Sequence, residues 1–144
     1  MTHSASTKTR ELNSIAIGDT LPALEIPLTR TLIIGTAIAS RDYQDVHHDH
    51  VLAKERGSPN IFMNILTTNG FVGRFVTDWT GPETMLRKVD IRLGAPNYPG
   101  DTMVIEGSVT AKDESDRTIE VSLRGRNGLG DHVTGKVLVA FPCK

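Results

Sequence analysis

Asp42 and His47 are the two side chains whose types and spacing best suit proton transfer in this sequence. They lie five positions apart in RDYQDVHHDH, residues 41–50, which also holds two further histidines and two further aspartates. If the chain between them turns, the carboxylate and the imidazole can converge on one water and exchange protons with it at neutral pH. Spacing alone leaves open a solvated polar loop, in which most histidines have no catalytic role.

A metal site is a third interpretation of the same segment. Four competent ligands stand in a row there: His47, His48, Asp49 and His50. Adjacent residues point in different directions, whereas zinc ligands usually come from positions such as i and i+4 or from separate elements. Distant ligands are few, since His3, His132 and Cys143 stand alone in their segments. We therefore expect no metal ion at this site.

The other polar residues of the segment have simpler expected roles. Asp49 precedes a predicted helix, so we expect it to cap that helix or to orient His47. Neighbouring positions cannot both face one site, so His48 and His50 are expected to be solvated.

Composition limits the partners and the setting of the chain. Its 144 residues suit one compact domain, and 16 basic against 17 acidic residues give a formal net charge of -1. This balance argues against nucleic acid or an anionic membrane as the main partner. The single cysteine, Cys143, excludes an internal disulfide and makes a reducing, cytoplasmic setting the default. No apolar run approaches the roughly 20 residues that span a bilayer.

One domain over residues 15–144 is expected after a flexible N-terminal tail at 1–14, which is rich in Ser, Thr and Lys. Apolar and polar residues alternate, as in half-buried antiparallel strands, over 102–110, 118–124 and 132–141. Gly, Pro, Asn and Asp between these segments predict a meander, and a fourth strand is expected near 85–93.

Helices are expected in the middle of the chain. Apolar residues recur at three- and four-residue steps over 61–79, which predicts a helix with a broad apolar face despite Gly70 and Gly73. Residues 51–60 predict a short helix stopped at Gly57. Residues 31–40 fit either a strand or a short helix capped by Thr31.

The motif around the proton-transfer pair resembles that of a known family. SRDYQDVHHD at 40–49, followed by Ala53, Gly57 and the helix, is similar to the S-G-D-x-N-P-x-H-x-D and A-x-x-x-G motif of MaoC-like (R)-specific enoyl-CoA hydratases. Asp42, His47 and Asp49 fall in register with that motif. YPGDTMVIEGSVT, beginning at residue 98, also resembles the R-P-G-D-T strand of the family, so the similarity covers roughly residues 20–142.

The chain departs from the usual family pattern at three places. Arg41 stands where the family has Gly, Gln44-Asp45 replaces Asn-Pro, and Met63-Asn64 replaces His-Gly. With these variations and the TDW at 77–79, the chain is similar to the small catalytic subunit of two-subunit MaoC-like hydratases of bacterial steroid side-chain degradation.

The resemblance implies an α+β hotdog fold, in which an antiparallel sheet wraps a long central helix, and it favours the helical alternative for residues 31–40. It implies hydration of a 2-enoyl-CoA thioester to a 3-hydroxyacyl-CoA, with Asp42 and His47 as the acid–base pair. The backbone N–H of Asn64 would bind the enolate oxygen, with Asp49 in a supporting role. No cofactor is implied, because coenzyme A is part of the substrate.

A second hotdog subunit is the expected partner, because a single hotdog leaves a sheet edge open and an acyl groove half covered. The resemblance implies a different, larger subunit that lacks the motif and leaves room for a bulky acyl group, while a homodimer stays open. Two alternatives to the hydratase remain: a thioesterase or non-catalytic acyl-CoA-binding hotdog, and a scaffold subunit. Arg124 and Arg126 are expected on a solvated strand face, with a nucleotide phosphate as the other possible contact.

Overall fold

A computed structural model describes residues 4–143 of the chain. The elements follow one another as β1 (Thr20–Pro27), α1 (Arg30–Ala39), α2 (His50–Glu55), α3 (Ile65–Thr80), β2 (Met85–Leu93), β3 (Thr102–Asp113), β4 (Thr118–Asn127) and β5 (Gly130–Ala140). Short 3-10 turns lie at Leu12–Ser14 and Asp45–His47. None of the helices in the described part of the chain is both long and apolar enough to cross a membrane.

The five strands form one antiparallel sheet in the order β1-β3-β4-β5-β2. The predicted meander is confirmed as β3, β4 and β5, and the expected fourth strand is β2. Val121 of β4 pairs with Val109 of β3 and Val137 of β5, and all three side chains are buried on the face that meets α3. The predicted hotdog arrangement of a sheet around a helix is therefore confirmed.

Strand β1 was not predicted from the sequence. Its two prolines, Pro22 and Pro27, interrupt the alternating pattern, and the pairing with β3 shifts register between Leu21 and Leu24. β1 lies at one edge of the sheet, where a residue without an N–H group and a bulge are both tolerated.

The central helix α3 begins at Ile65, later than the predicted start at residue 61. Residues 61–64 are not helical, because the Met63 N–H donates to the Asn97 carbonyl and the Phe62 N–H donates to that of Val46. The predicted apolar face is present, with Val72, Phe75 and Val76 fully buried against the sheet.

Residues 31–40 belong to helix α1, which confirms the helical alternative. The N-terminal cap is Thr29 and not Thr31, because the Thr29 hydroxyl accepts the hydrogen bond from the Leu32 N–H. Ile33 and Ala37 of this helix are buried. The predicted short helix is α2, and Gly57 just beyond it takes a left-handed φ of 89°.

Residues 6–12 pack onto the domain, although the sequence places them in a flexible tail. Arg10 lies 4.6 Å from the centroid of the Trp79 ring and donates from Nε to the Trp79 carbonyl. Leu12 is buried in the core. One arginine and one leucine thus anchor a segment of polar composition, and the core extends before residue 15. Residues 1–3 of the predicted tail, His3 among them, lie outside the described residues.

Candidate active site

The loop after α1 brings Asp42 and His47 together. Helix α1 ends at Ala39 with Ser40 as its C-terminal cap, and Arg41 then takes a left-handed φ of 57°. The chain therefore reverses, and the Asp42 N–H donates to the Ala37 carbonyl. The 3-10 turn at Asp45–His47 completes the bend and places His47 Nε2 3.4 Å from Asp42 Oδ2. Arg41 therefore has the left-handed backbone conformation that favours glycine, the residue at this position in the motif that the segment resembles.

The buried imidazole of His47 is fixed by its other nitrogen. Nδ1 lies 2.7 Å from the Phe62 carbonyl oxygen, which can only accept, so Nδ1 carries the proton. The Phe62 ring meets the imidazole edge-on, with centroids 4.9 Å apart. The Nε2 lone pair therefore faces Asp42, at a separation longer than that of a charge-assisted hydrogen bond. This geometry suits an acid–base pair that shares a water molecule.

Asn64 connects this pair to the start of α3. Its buried side chain accepts from the Thr67 N–H at 3.1 Å as the helix cap, and its Nδ2 lies 3.1 Å from Asp42 Oδ2 and 2.9 Å from Ser40 Oγ. From the sequence, a role is predicted only for the backbone N–H of Asn64. The sequence does hold a signal for a role of the side chain, because asparagine is a favoured helix cap and Asn64 stands three residues before Thr67 at the start of the helix.

The backbone N–H of Asn64 has no acceptor among the hydrogen bonds of residues 4–143. It lies at the N-terminus of α3, where unpaired N–H groups and the helix dipole favour negative charge. The predicted oxyanion donor thus stands beside the Asp42–His47 pair, and its use in catalysis stays a prediction.

Asp49 caps helix α2, one of its two expected roles. Its Oδ1 accepts from the N–H groups of Val51 at 2.9 Å and Leu52 at 3.0 Å. Its carboxylate is thereby committed to the helix and supports the loop from outside the pair.

His48 and His50 differ from the expectation that they are solvated. Both are only partly exposed, and each bonds to a group nearby: His48 Nε2 to the Tyr43 carbonyl at 3.1 Å, His50 Nδ1 to Asn60 Oδ1 at 2.9 Å. These bonds stabilise the loop. Within residues 4–143, no three or more His, Cys, Asp or Glu side chains are grouped so that they could hold a metal ion.

An ion pair closes the outer side of the same loop. Arg56 Nε lies 2.6 Å from Asp45 Oδ1, and this hydrogen bond lowers the pKa of Asp45 from its ordinary value. Asp45 stays ionised and paired with Arg56, so it is not a second candidate base.

An open, largely apolar groove of about 380 Å³ lies beside the pair, between α1 and α3. It is lined by Thr36, Ala39, Ser40, Leu66, Thr67, Gly70, Phe71 and Arg74. Its volume is in the range of small-molecule sites. Two of the lining residues, Ser40 and Thr67, are the hydrogen-bond partners of Asn64, so the groove begins next to Asp42.

Arg124 and Arg126 lie away from the pair, on the outer face of the sheet. Arg124 Nε is 2.8 Å from Asp131 Oδ1, and Arg126 Nη2 is 3.0 Å from Glu106 Oε2. Both pairs are largely exposed, which agrees with a solvated strand face.

Residues 13–127 match the family described as MaoC like domain, and the chain belongs to this family. It is 49% identical over 121 residues to the 3-oxo-4,17-pregnadiene-20-carboxyl-CoA hydratase beta subunit of Mycobacterium tuberculosis, covering 84% of this chain and 92% of that one. Among solved structures, it is similar to a chain of the ChsH1-ChsH2 complex from Mycobacterium tuberculosis, with a TM-score of 0.84, 46% identity, and coverage of 88% and 98%.

An (R)-hydratase from A. caviae involved in PHA biosynthesis has the same fold. Its TM-score is 0.79 at 21% identity, with 90% of this chain and 98% of that one covered.

Proposed function

We propose that this chain hydrates a 2-enoyl-CoA thioester to a 3-hydroxyacyl-CoA, as the catalytic subunit of a heteromeric hydratase acting on a bulky steroid side-chain acyl-CoA. The observation that carries this proposal is the approach of His47 Nε2 to Asp42 Oδ2 at the N-terminus of α3. The relative named as a pregnadiene-carboxyl-CoA hydratase subunit supports the substrate class.

The reaction needs an activated water, a donor for the enolate oxygen and a proton for C2. Asp42 and His47 Nε2 hold the water and take its proton as its oxygen bonds to C3. The π electrons of the C2–C3 bond move toward the thioester carbonyl, whose oxygen accepts a hydrogen bond from the Asn64 N–H. The pair then returns a proton to C2. No bond to a cofactor forms, and coenzyme A stays attached throughout.

The open groove between α1 and α3 fits a bulky acyl group better than a closed tunnel would. It is largely apolar and starts at Ser40 and Thr67, beside the reacting groups. An apolar surface of this kind is exposed to water in the single chain, so a second subunit is needed to cover the acyl group.

The partner we propose is a different hotdog subunit. The solved structure of the similar ChsH1-ChsH2 complex supports a heteromer. β2 is an edge strand with the exposed apolar side chains of Met85, Leu86 and Leu93, which a monomer would leave in water. The location we propose is the cytoplasm, and the free, exposed thiol of Cys143 supports it, because such a thiol suits a reducing compartment.

The test measures loss of the conjugated enone absorbance from a steroid-type 2-enoyl-CoA and from crotonyl-CoA. The chain is assayed alone and with a co-expressed candidate hotdog partner, as wild type and as Asp42→Asn. We expect activity only in the complex, preference for the steroid substrate, and a loss of about 10²- to 10⁴-fold in Asp42→Asn.

The matched control is Asp131→Asn, which removes an exposed carboxylate on the outer sheet face and should leave the rate unchanged. Release of free thiol would indicate a thioesterase instead. Full hydration by Asp42→Asn would contradict the acid–base assignment. If neither the chain alone nor the complex hydrates the substrate, the chain is a binding or scaffold subunit.

A further inference from the structure

One buried amide group joins the three segments that form the site. Asn64 is only 1% exposed, and its side chain contacts Ser40 at the end of α1, Asp42 in the loop and Thr67 in the first turn of α3. Each contact is a hydrogen bond, so no polar atom of this side chain is without a partner.

The orientation of this amide is fixed by its partners. The Thr67 N–H can only donate, so the atom that faces it must be the oxygen Oδ1. Nδ2 therefore points the other way, with its two hydrogens toward Ser40 Oγ and Asp42 Oδ2. The Ser40 hydroxyl donates to the Thr36 carbonyl at 2.7 Å, which leaves its lone pairs to accept from Asn64.

The consequence for Asp42 is that one carboxylate oxygen is held between two groups. Oδ2 lies 3.1 Å from Asn64 Nδ2 and 3.4 Å from His47 Nε2. Within the described part of the chain, residues 4–143, Oδ1 has only one long hydrogen bond, 3.4 Å, from the Gln44 N–H. The amide thus fixes the carboxylate rotamer toward the imidazole and leaves Oδ1 available to a water molecule.

We propose that the Asn64 side chain is a positioning residue of the hydration reaction, one that holds Asp42 Oδ2 against His47 by its Nδ2–H donor. This inference rests on the proposed function. It is separate from the role of the Asn64 backbone N–H, because a substitution at this position changes the side chain and keeps the N–H group.

Asn64→Asp is the most informative variant. Aspartate keeps the oxygen that caps α3, so the helix start is preserved, but it replaces the donor with a second carboxylate beside Asp42. We expect kcat of the complex to fall by about 10²-fold with KM within a few-fold, since misplaced reacting groups cost this much. The acidic limb of the pH–rate profile should move to higher pH, because two adjacent carboxylates resist joint ionisation.

Asn60→Asp is the matched control. Asn60 lies four residues before Asn64 in the same connection between α2 and α3, and bonds to His50 and the Ile61 N–H through Oδ1, which aspartate retains. Its kcat and pH profile should equal those of the wild type. A similar loss in both variants would overturn the proposal, because it would show a general sensitivity of the segment.

A double-mutant cycle separates action through Asp42 from an independent effect. If Asn64 acts by holding Asp42, adding Asn64→Gly to Asp42→Asn should change kcat by less than about threefold, while Asn64→Gly alone should lower it by roughly tenfold or more. Multiplying effects would overturn the proposal. Wild-type hydration that Asp42→Asn abolishes shows that the proposed function holds even where this inference fails.

Crystal structures of the wild type and Asn64→Gly test the same idea without turnover. We expect the Asp42 carboxylate to leave the rotamer that faces His47 once the amide is gone. An unchanged carboxylate would overturn the proposal even if the chain has no hydratase activity.

Discussion

Two buried histidines of this chain, His47 and His132, both have Nδ1 bound to a backbone carbonyl. They differ in the side chain that Nε2 contacts. Each Nδ1 lies 2.7 Å from a backbone carbonyl oxygen, that of Phe62 for His47 and that of Ala95 for His132. Each ring is therefore held as the tautomer with the proton on Nδ1. The difference in their chemistry must come from what Nε2 contacts.

His132 Nε2 lies 2.8 Å from Thr68 Oγ1, inside the first turns of α3. The hydroxyl donates to the lone pair, so both nitrogens are used in holding the loop at Ala95 and strand β5 against the helix. Burial lowers the pKa of His132 from its ordinary value, and the bond to the Ala95 carbonyl opposes this only in part. This histidine is neutral and structural.

His47 Nε2 instead faces a carboxylate that is itself held by an asparagine. The comparison teaches that burial and a fixed tautomer do not distinguish a candidate base from a structural histidine. The group that Nε2 contacts does, a carboxylate for His47 and a hydroxyl for His132.

The largest expected difference between the two histidines is in turnover. His47→Gln should lower kcat of the complex by about 10²- to 10⁴-fold, because the general base is lost. It should also lower the free energy of unfolding, because the buried Phe62 carbonyl loses the His47 donor. His132→Gln should keep kcat within a few-fold and lower the free energy of unfolding by about 1–3 kcal/mol, since buried partners lose their hydrogen bonds. Enone hydration and urea unfolding of both variants measure the two quantities. Loss of turnover in His132→Gln without loss of stability would contradict the division of roles.

Local patterns in the sequence predicted the strands and helices that depend on neighbouring residues. Alternation identified strands β3 to β5, a further strand was expected where β2 lies, and the three- to four-residue period identified α3. The pairing of Asp42 with His47 was predicted because both residues align with a family motif. That motif already implies that the loop between them turns. The roles of these two residues stay predictions until they are measured.

What the sequence missed depends on contacts between distant residues. Asn64 meets Asp42 and Ser40 only because α1, the loop and α3 converge, and the spacing of 22 and 24 positions has no local signature. His132 meets Thr68 across 64 positions. The anchoring of Arg10 on Trp79 likewise depends on a partner far along the chain, so composition alone predicted a tail.

The difference between the two histidines also predicts that His132 makes the free energy of unfolding depend on pH. The folded pKa of His132 lies below its ordinary value of 6.5. Below about pH 6.5, the unfolded chain then binds a proton that the folded chain does not, so stability is full above that pH and falls as the pH is lowered toward the folded pKa. The slope from this group is at most about 1.4 kcal/mol per pH unit.

Urea unfolding between pH 5 and 8 of the wild type and of His132→Gln measures this contribution as a difference between the two curves. The difference should shrink as the pH falls, because only the wild type loses the contribution of a neutral His132. Parallel curves would show that His132 titrates alike in the folded and unfolded chains, and would contradict its assignment as a buried neutral group.

The smallest expected effect contrasts the open and the packed sides of α3 at two glycines. A Cβ added at Gly70 would meet nothing within 4 Å, whereas one at Gly73 would lie 3.1 Å from Leu86 Cδ1. Gly70→Ala should therefore raise the free energy of unfolding by roughly 0.5–1 kcal/mol, the gain from alanine over glycine in a helix. Gly73→Ala should gain less, because Leu86 must shift. Urea unfolding of the chain without its partner measures both, and destabilisation by Gly70→Ala would mean that the groove beside Asp42 is filled when no acyl group is bound.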